Sequence, residues 1–339
     1  MQENLVNIGI IGAGLQGRRR ANAVKQFKSD QLVIIADIDI NMAKTLATEM
    51  HCQASDNWED VTTRKDIDAV IICTPAYLHL PMSLSAIENG KHILCEKPLG
   101  RNPTEAESIV NAAQDNNVML GVGLNHRFHP AISRAHEMVE KGVVGELDFI
   151  RCRYGHGGRP GYEKEWRGNA EKAGGGQLLD QGVHVLDLLR WFMGDFKEVT
   201  GFITTRHWAI SPLEDNAFAL LRTNQGQVAS LHVSWTQWKN LFSLEIFGKG
   251  GYLLVDGLGG SYGTEKLIWG KRSLSSEPFK QEIIEFTSSD NSWYYEWEDF
   301  VMSIRDKKQP LARGNDGLQA IKLAYAIYES SNSSRTVQL

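Results

Sequence analysis

The sequence predicts an α/β fold for residues 1–125, a doubly wound parallel sheet, followed by an α+β domain over 126–339 built on a large, mainly antiparallel sheet. Three observations carry this. Strand-like and helix-like runs alternate through the first part of the chain, as parallel sheets with crossover helices require. Beyond residue 125, extended runs succeed one another with few helices between them, which means antiparallel neighbours. A Gly-x-Gly-x-x-Gly turn joins the first strand-like run to the first helix-like one. The 339 residues suffice for two domains with cores of their own.

In order, the strand-like runs of the first part are Leu5–Ile11, Leu32–Ala36, Ala69–Cys73, His92–Cys95 and Val118–Val122. Helical stretches at Met42–Met50, Pro81–Asn89 and Pro103–Asn116 separate them, the last opening on Thr104-x-x-Glu107. A helix over Pro130–Glu140 starts the second part. Extended segments follow at Leu147–Tyr154, Glu198–His207, Ala217–Thr223, Gln227–Trp235, Phe242–Phe247, Tyr252–Val255 and Glu282–Phe286. Asn224-Gln225-Gly226 reads as a hairpin turn. One helix interrupts the series at Leu178–Met193, and two more, near Tyr295–Arg305 and Asp316–Ser331, close the domain. Ser-rich stretches at 273–276 and 330–334 read as loop and tail.

Composition excludes several classes of function. The chain is 42% hydrophobic and 23% charged, with a net charge of -5, so it offers no broad basic surface to nucleic acid or anionic lipid. Arg18-Arg19-Arg20 is the one basic run in the opening helix, and a solvated helix face accounts for it. The four cysteines, at 52, 73, 95 and 152, show no paired spacing, which argues against disulfides or thiolate zinc and for a reducing cytoplasm. No apolar stretch has the length of a membrane span, and the first strand begins too early to leave room for a signal peptide.

Gly12-Ala13-Gly14-Leu15-Gln16-Gly17 follows a strand and opens a helix, the context in which such a turn cradles a pyrophosphate. Gly12 permits the turn, Gly14 the approach of phosphate to backbone, Gly17 close helix–strand packing, and the helix N-terminus adds its dipole. Asp37, 20 positions after Gly17 at the end of the next strand, would accept hydrogen bonds from the adenosine ribose and repel a 2′-phosphate. The domain is therefore read as a Rossmann domain for NAD, with NADP disfavoured. Thr74, Pro75 and His79 follow another strand's carboxyl end on the nicotinamide side, although a lone histidine at a helix start is more often a cap than a catalyst. Glu96-Lys97-Pro98 ends the strand His92–Cys95, which holds Lys97 on rigid backbone where substrate meets cofactor, with Glu96 positioning it.

The second constellation is Gly174-Gly175-Gly176 followed by Asp180, His184 and Asp187. On a regular helix Asp180 and His184 share one face, one turn apart, beside the apolar face of Leu179, Val183, Leu186 and Met193. An imidazole near a carboxylate suits proton transfer at neutral pH. A metal is not expected, because no third strong ligand lies nearby.

The Gly turn with Asp37, then Glu96-Lys97-Pro98, then three glycines with Asp180-x-x-x-His184-x-x-Asp187, resembles the glucose–fructose oxidoreductase/inositol dehydrogenase/rhizopine catabolism (Gfo/Idh/MocA) family over nearly the whole chain. The resemblance implies that Lys97, Asp180 and His184 are the catalytic lysine, aspartate and histidine. It also implies that Asn125-His126-Arg127 links the domains, with Asn125 among the cofactor contacts, that Trp166-Arg167 belongs to an active-site loop, and that the second-domain sheet forms dimers or tetramers. Aromatic and donor residues at Tyr154, Tyr162, Trp166, Arg167 and Trp235 suit a carbohydrate ring, with Arg159 and Arg167 open to an anionic group. The implied activity is hydride transfer between nicotinamide and a secondary hydroxyl or ketone of a sugar, nucleotide sugar or cyclitol. The alternatives are a redox glycoside hydrolase or lyase of the same fold and a non-catalytic NAD-binding regulator.

Overall fold

The computed structural model describes residues 5–271 and 280–339; the Ser-rich stretch at 273–276 lies outside them. The chain forms two compact units, one of Met1–Asn125 with Trp293–Ile321, the other of His126–Ser292 with Lys322–Leu339.

The first unit runs β1 (Asn7–Ile11), α1 (Leu15–Phe27), β2 (Gln31–Ala36), α2 (Ile40–Met50), β3 (Gln53–Ser55), α3 (Glu59–Thr62), β4 (Ala69–Ile72), α4 (His79–Glu88), β5 (His92–Cys95), α5 (Pro103–Asp115) and β6 (Leu120–Val122). The strands form a parallel sheet in the order β3-β2-β1-β4-β5-β6. Burial on both faces makes β4, Ala-Val-Ile-Ile, wholly apolar. The order reverses between β1 and β4, so the carboxyl ends of those strands flank the crevice where such sheets take ligands. The three-residue β3 escaped sequence reading because nothing so short shows a period. α5 starts ahead of the expected Thr104-x-x-Glu107 motif: the Asn102 side chain accepts from the Glu105 N–H, with Pro103 at the first helical position.

The second unit runs α6 (Pro130–Glu140), β7 (Leu147–Gly155), α7 (Ala170–Ala173), α8 (Val183–Met193), β8 (Phe196–Thr204), β9 (Asn216–Thr223), β10 (Val228–Ser234), β11 (Leu241–Gly248), β12 (Gly251–Asp256), β13 (Glu265–Lys271) and β14 (Gln281–Phe286). After α9 (Ser292–Asp306) and α10 (Gly314–Ser333), β15 (Val337–Gln338) returns to β8. The sheet order is β14-β13-β12-β11-β7-β10-β9-β8-β15; every pairing is antiparallel except β10 on β7. Alternation along β9, buried and exposed by turns, shows one face on the core and one outward.

One expectation changes. A second domain running unbroken over 126–339 is not what the chain forms, because residues 293–321 join the first unit. The reason is apolar burial: Trp297, Phe300 and Val301 of α9 enter the core made by Ile8, Ile10, Ile35, Leu46, Ile71 and Leu94. Ala312 and Arg313 then pair with Val122 and Gly121 at the edge of β6. Among the described residues no helix is long and apolar enough to cross a membrane.

Candidate functional site

In the first unit the glycine turn has the shape its sequence implies. Gly12 has φ +101, and a Cβ there would lie 2.9 Å from the Cys73 carbonyl, while one on Gly17 would lie 1.8 Å from the Gly12 carbonyl oxygen. Gly14 differs, since its Cβ would meet nothing within 4 Å. It caps α1 without a side-chain hydrogen bond, and the first turn carries no acidic residue. The backbone at Gly14 thus borders open space at the start of α1, with the positive end of the helix dipole behind it. That arrangement fits a pyrophosphate. Gln16 Oε1 is buried with no partner among the described residues, and Leu15 is exposed. Asp37 follows β2 directly; its carboxylate accepts from the Ala13 N–H at 2.6 Å and the Asp39 N–H at 2.9 Å. The residue expected to hold a ribose therefore also ties the glycine turn to β2.

Lys97 is half-buried just past β5, with a cis peptide to Pro98. Glu96 is not free to serve the lysine as expected. It is buried and receives Arg20 Nε at 2.8 Å and Nη2 at 2.6 Å. Arg20 is the correction to the basic run: it is 1% exposed, and its other partner is Glu296 of α9. Only Arg18, on Glu49, and Arg19, over Trp293, take the roles of outer residues. Burial opposes the Arg20 charge, but Glu296 and Glu96 outweigh it and hold its pKa above the ordinary value. Glu296 is pushed up from 4.5 to about 7, by burial first and by Glu96 in addition, against the pull of Arg20.

His79 is also reassigned. Its ring nitrogens lie 2.8 Å from the carbonyl oxygens of Pro98 and Thr74, and it is 1% exposed. The ring is spent on backbone and fastens the loop after β4 to the loop after β5, so it is a positioning residue rather than a cofactor contact. Burial lowers its pKa, against those two hydrogen bonds. Thr74 and Pro75 stand at the carboxyl end of β4, where Thr74 Oγ1 approaches Met82 Sδ at 3.5 Å. Asn125 is buried in the turn Asn125–Phe128.

In the second unit Asp180 does not sit on a regular helix. Residues Leu178–Gly182 form a wide π-turn ahead of α8, so four residues from Asp180 to His184 do not make an ordinary helical turn. Such insertions are frequent at functional sites. Buried Glu214 holds the turn, accepting from the Gly176 and Leu178 N–H groups at 3.0 and 2.8 Å and from the Tyr328 hydroxyl at 2.9 Å. Asp180 accepts from Arg167 Nε at 3.3 Å. Burial opposes the Arg167 charge, yet Asp180 first and then Tyr162 and Glu165 keep its pKa raised. Its guanidinium lies 4.4 Å over the Trp166 ring. Arg159 is held in a fork by Glu165, at 2.8 Å on each arm.

Asp187 belongs to the interior of this unit. It is buried and takes both arms of Arg127, at 2.8 and 2.5 Å. His184 is buried with its ring stacked on His126. Tyr154 is buried beside them and hydrogen-bonded to Tyr262; burial, then Tyr262, raises its pKa. Trp235 and Tyr162 are corrections. Trp235 is 0% exposed and packs with Tyr162, Ala173, Ile210 and Leu213, so both are core, with Trp166 on the margin of that cluster. Sequence reading missed His126 as a neighbour of His184, as well as Glu214, Tyr262 and Glu296. His126 lay within the quoted Asn-His-Arg run; for the others no local pattern exists.

Two family profiles match in sequence, an oxidoreductase family with an NAD-binding Rossmann fold over residues 6–124 and a GFO/IDH/MocA C-terminal domain over 132–254. A levoglucosan dehydrogenase of Pseudarthrobacter phenanthrenivorans is 30% identical over 233 residues, 65% of this chain and 59% of that enzyme. An inositol 2-dehydrogenase of Rhizobium meliloti is 25% identical over 98% of this chain and 99% of that enzyme. Levoglucosan dehydrogenase solved with NADH and levoglucosan superposes with a TM-score of 0.92, at 23% identity and 99% coverage of each chain. With both profiles in order along one chain, this protein belongs to the Gfo/Idh/MocA family of oxidoreductases, and its first unit carries that family's NAD-binding Rossmann fold.

Proposed function

We propose that the chain is an NAD-dependent dehydrogenase or reductase acting on a secondary hydroxyl or ketone of a neutral sugar or cyclitol. The observation that carries this is the Gly14 turn, open above the uncapped start of α1 and tied to Asp37, in a chain of an oxidoreductase family. Gly12, Gly14, Gly17 and Asp37 would hold the dinucleotide, and Asp37 favours NAD over NADP. When bound, the nicotinamide supplies the hydride acceptor or donor.

The remaining chemistry belongs to this chain's residues. His184 takes the proton from the hydroxyl being oxidised, and returns it in reduction. Asp180 orients the substrate hydroxyls and stabilises the imidazolium. The Lys97 ammonium donates a hydrogen bond to the oxygen as its charge develops. Arg159 and Arg167, the candidate anion hosts of the sequence, are each occupied by carboxylates. That favours a neutral ring over a nucleotide sugar. We further propose a homo-oligomer formed through the outer face of the large sheet, where Phe202, Phe218 and Leu220 are exposed, in a cytoplasm whose reducing poise suits four free cysteines.

The test is a panel of levoglucosan, myo-inositol, glucose, a uronic acid and a nucleotide sugar, incubated with NAD and followed by NADH absorbance. Net NADH from a neutral member is the expected result. Glycoside cleavage without net NADH would instead establish the redox hydrolase. Lys97→Met should lower turnover by about 10²–10⁴-fold with NADH binding retained; unchanged turnover would remove Lys97 from the chemistry.

A further inference from the structure

We propose that His126 is a positioning residue for His184, stacked on it so that the two buried rings share a single proton. The inference rests on the reading of His184 as the acid–base group. The ring centroids are 3.8 Å apart and the planes 16° from parallel, with His126 5% and His184 4% exposed.

The surroundings enforce this stack. Arg127, the next residue, grips Asp187 with both arms, and Asp187 lies on α8 three residues beyond His184. His129 Nδ1 lies 3.0 Å from Glu265, whose other oxygen accepts the Ala131 N–H at 2.7 Å. The turn carrying His126 is thus clamped on one side to the helix of His184 and on the other to β13. His129, Tyr154 and Phe242 meet the His126 ring at 5.6, 5.3 and 6.1 Å, each edge to face. No rotation of His126 is open without losing those contacts.

Two rings face to face cannot pass a proton through their nitrogens, which point along the ring planes, so the coupling is Coulombic rather than a relay. A proton on one imidazole opposes a second on the other. Among the described residues around the pair, Arg127 lies on Asp187, His129 on Glu265, Asp180 on Arg167 and Tyr154 beside Tyr262. When the pair holds one proton, a share of the molecules keeps it on His126 and leaves His184 able to accept one. On acidification a lone histidine would take up its proton, and lose that capacity, at a higher pH than the pair does.

The test uses the full chain with ¹⁵N-labelled histidine, titrating the ring resonances of native protein, His126→Phe and His126→Ala. In the native chain His184 and His126 should titrate together in two steps separated by more than about one pH unit. His126→Phe keeps an aromatic face without a titrating group, so His184 should titrate in one step and the acid limb of kcat/KM should move to higher pH by about one unit. His126→Ala should broaden the His184 signals and lower kcat more than KM, with phenylalanine restoring kcat. An unchanged His184 titration in folded, NADH-binding His126→Phe overturns the proposal. Coupled titration in a chain that forms NADH from no member of the panel upholds the shared proton and overturns the dehydrogenase reading alone.

Discussion

Replacing Glu296 by glutamine should make the first unit more stable at alkaline pH and leave it unchanged in mild acid. Arg20 stands between two buried carboxylates, Glu96 and Glu296, so one positive charge faces two negative ones. Burial and Glu96 push Glu296 up from 4.5 to about 7 in the folded protein, while the unfolded chain keeps the ordinary value. The folded state therefore binds the extra proton over that interval. Its contribution is fully present below about pH 4.5 and is lost as pH rises through about 7. A difference of about 2.5 pH units (from 4.5 to about 7), at about 1.4 kcal/mol each, comes to about 3 kcal/mol. Glutamine keeps a hydrogen-bonding partner for Arg20 and carries no charge. Urea unfolding of both proteins at several pH values, read by tryptophan fluorescence because Trp297 lies in this core, gives the comparison. The gap in unfolding free energy should open from near zero at about pH 4 toward about 3 kcal/mol above pH 8. A gap that stays constant with pH would refute the argument, since only a titrating Glu296 makes it grow.

Two further changes test the first unit. Trp297→Ala should cost about 3–5 kcal/mol and abolish NADH binding, because Trp297 is 0% exposed in the core beneath the dinucleotide sheet; calorimetry should show one transition lowered ahead of the other. Asp37→Ser should weaken NADH by about 10–100-fold, the loss of a charge-assisted hydrogen bond, and narrow the gap to NADPH. Fluorescence titration with both dinucleotides measures it.

Local pattern and long-range packing divide the legible from the illegible. The glycine turn could be read because strand, turn and helix lie within a few residues, and their steric demands are local: Gly17 has no room for a Cβ whatever lies elsewhere. The parallel sheet of the first unit followed from the alternation of strand-like and helix-like runs, though its strand order did not. The role of Arg20 could not be read, because its neighbours Arg18 and Arg19 do face outward and its partners lie 76 and 276 positions away. Trp235 and Tyr162 were drawn into the expected substrate set by residue type alone, and burial decides otherwise.

By itself the sequence determined the fold class, the dinucleotide turn, Lys97 at a strand end and the family, since each depends on residue types at short, fixed spacing. The tertiary structure alone decided that α9 crosses back to the first unit's core, that a π-turn separates Asp180 from His184, that Glu96 serves Arg20, and that His126 lies on His184. Those outcomes depend on which distant apolar faces and charges meet. Hydrophobic burial and charge pairing act through space, and no window of sequence contains both partners.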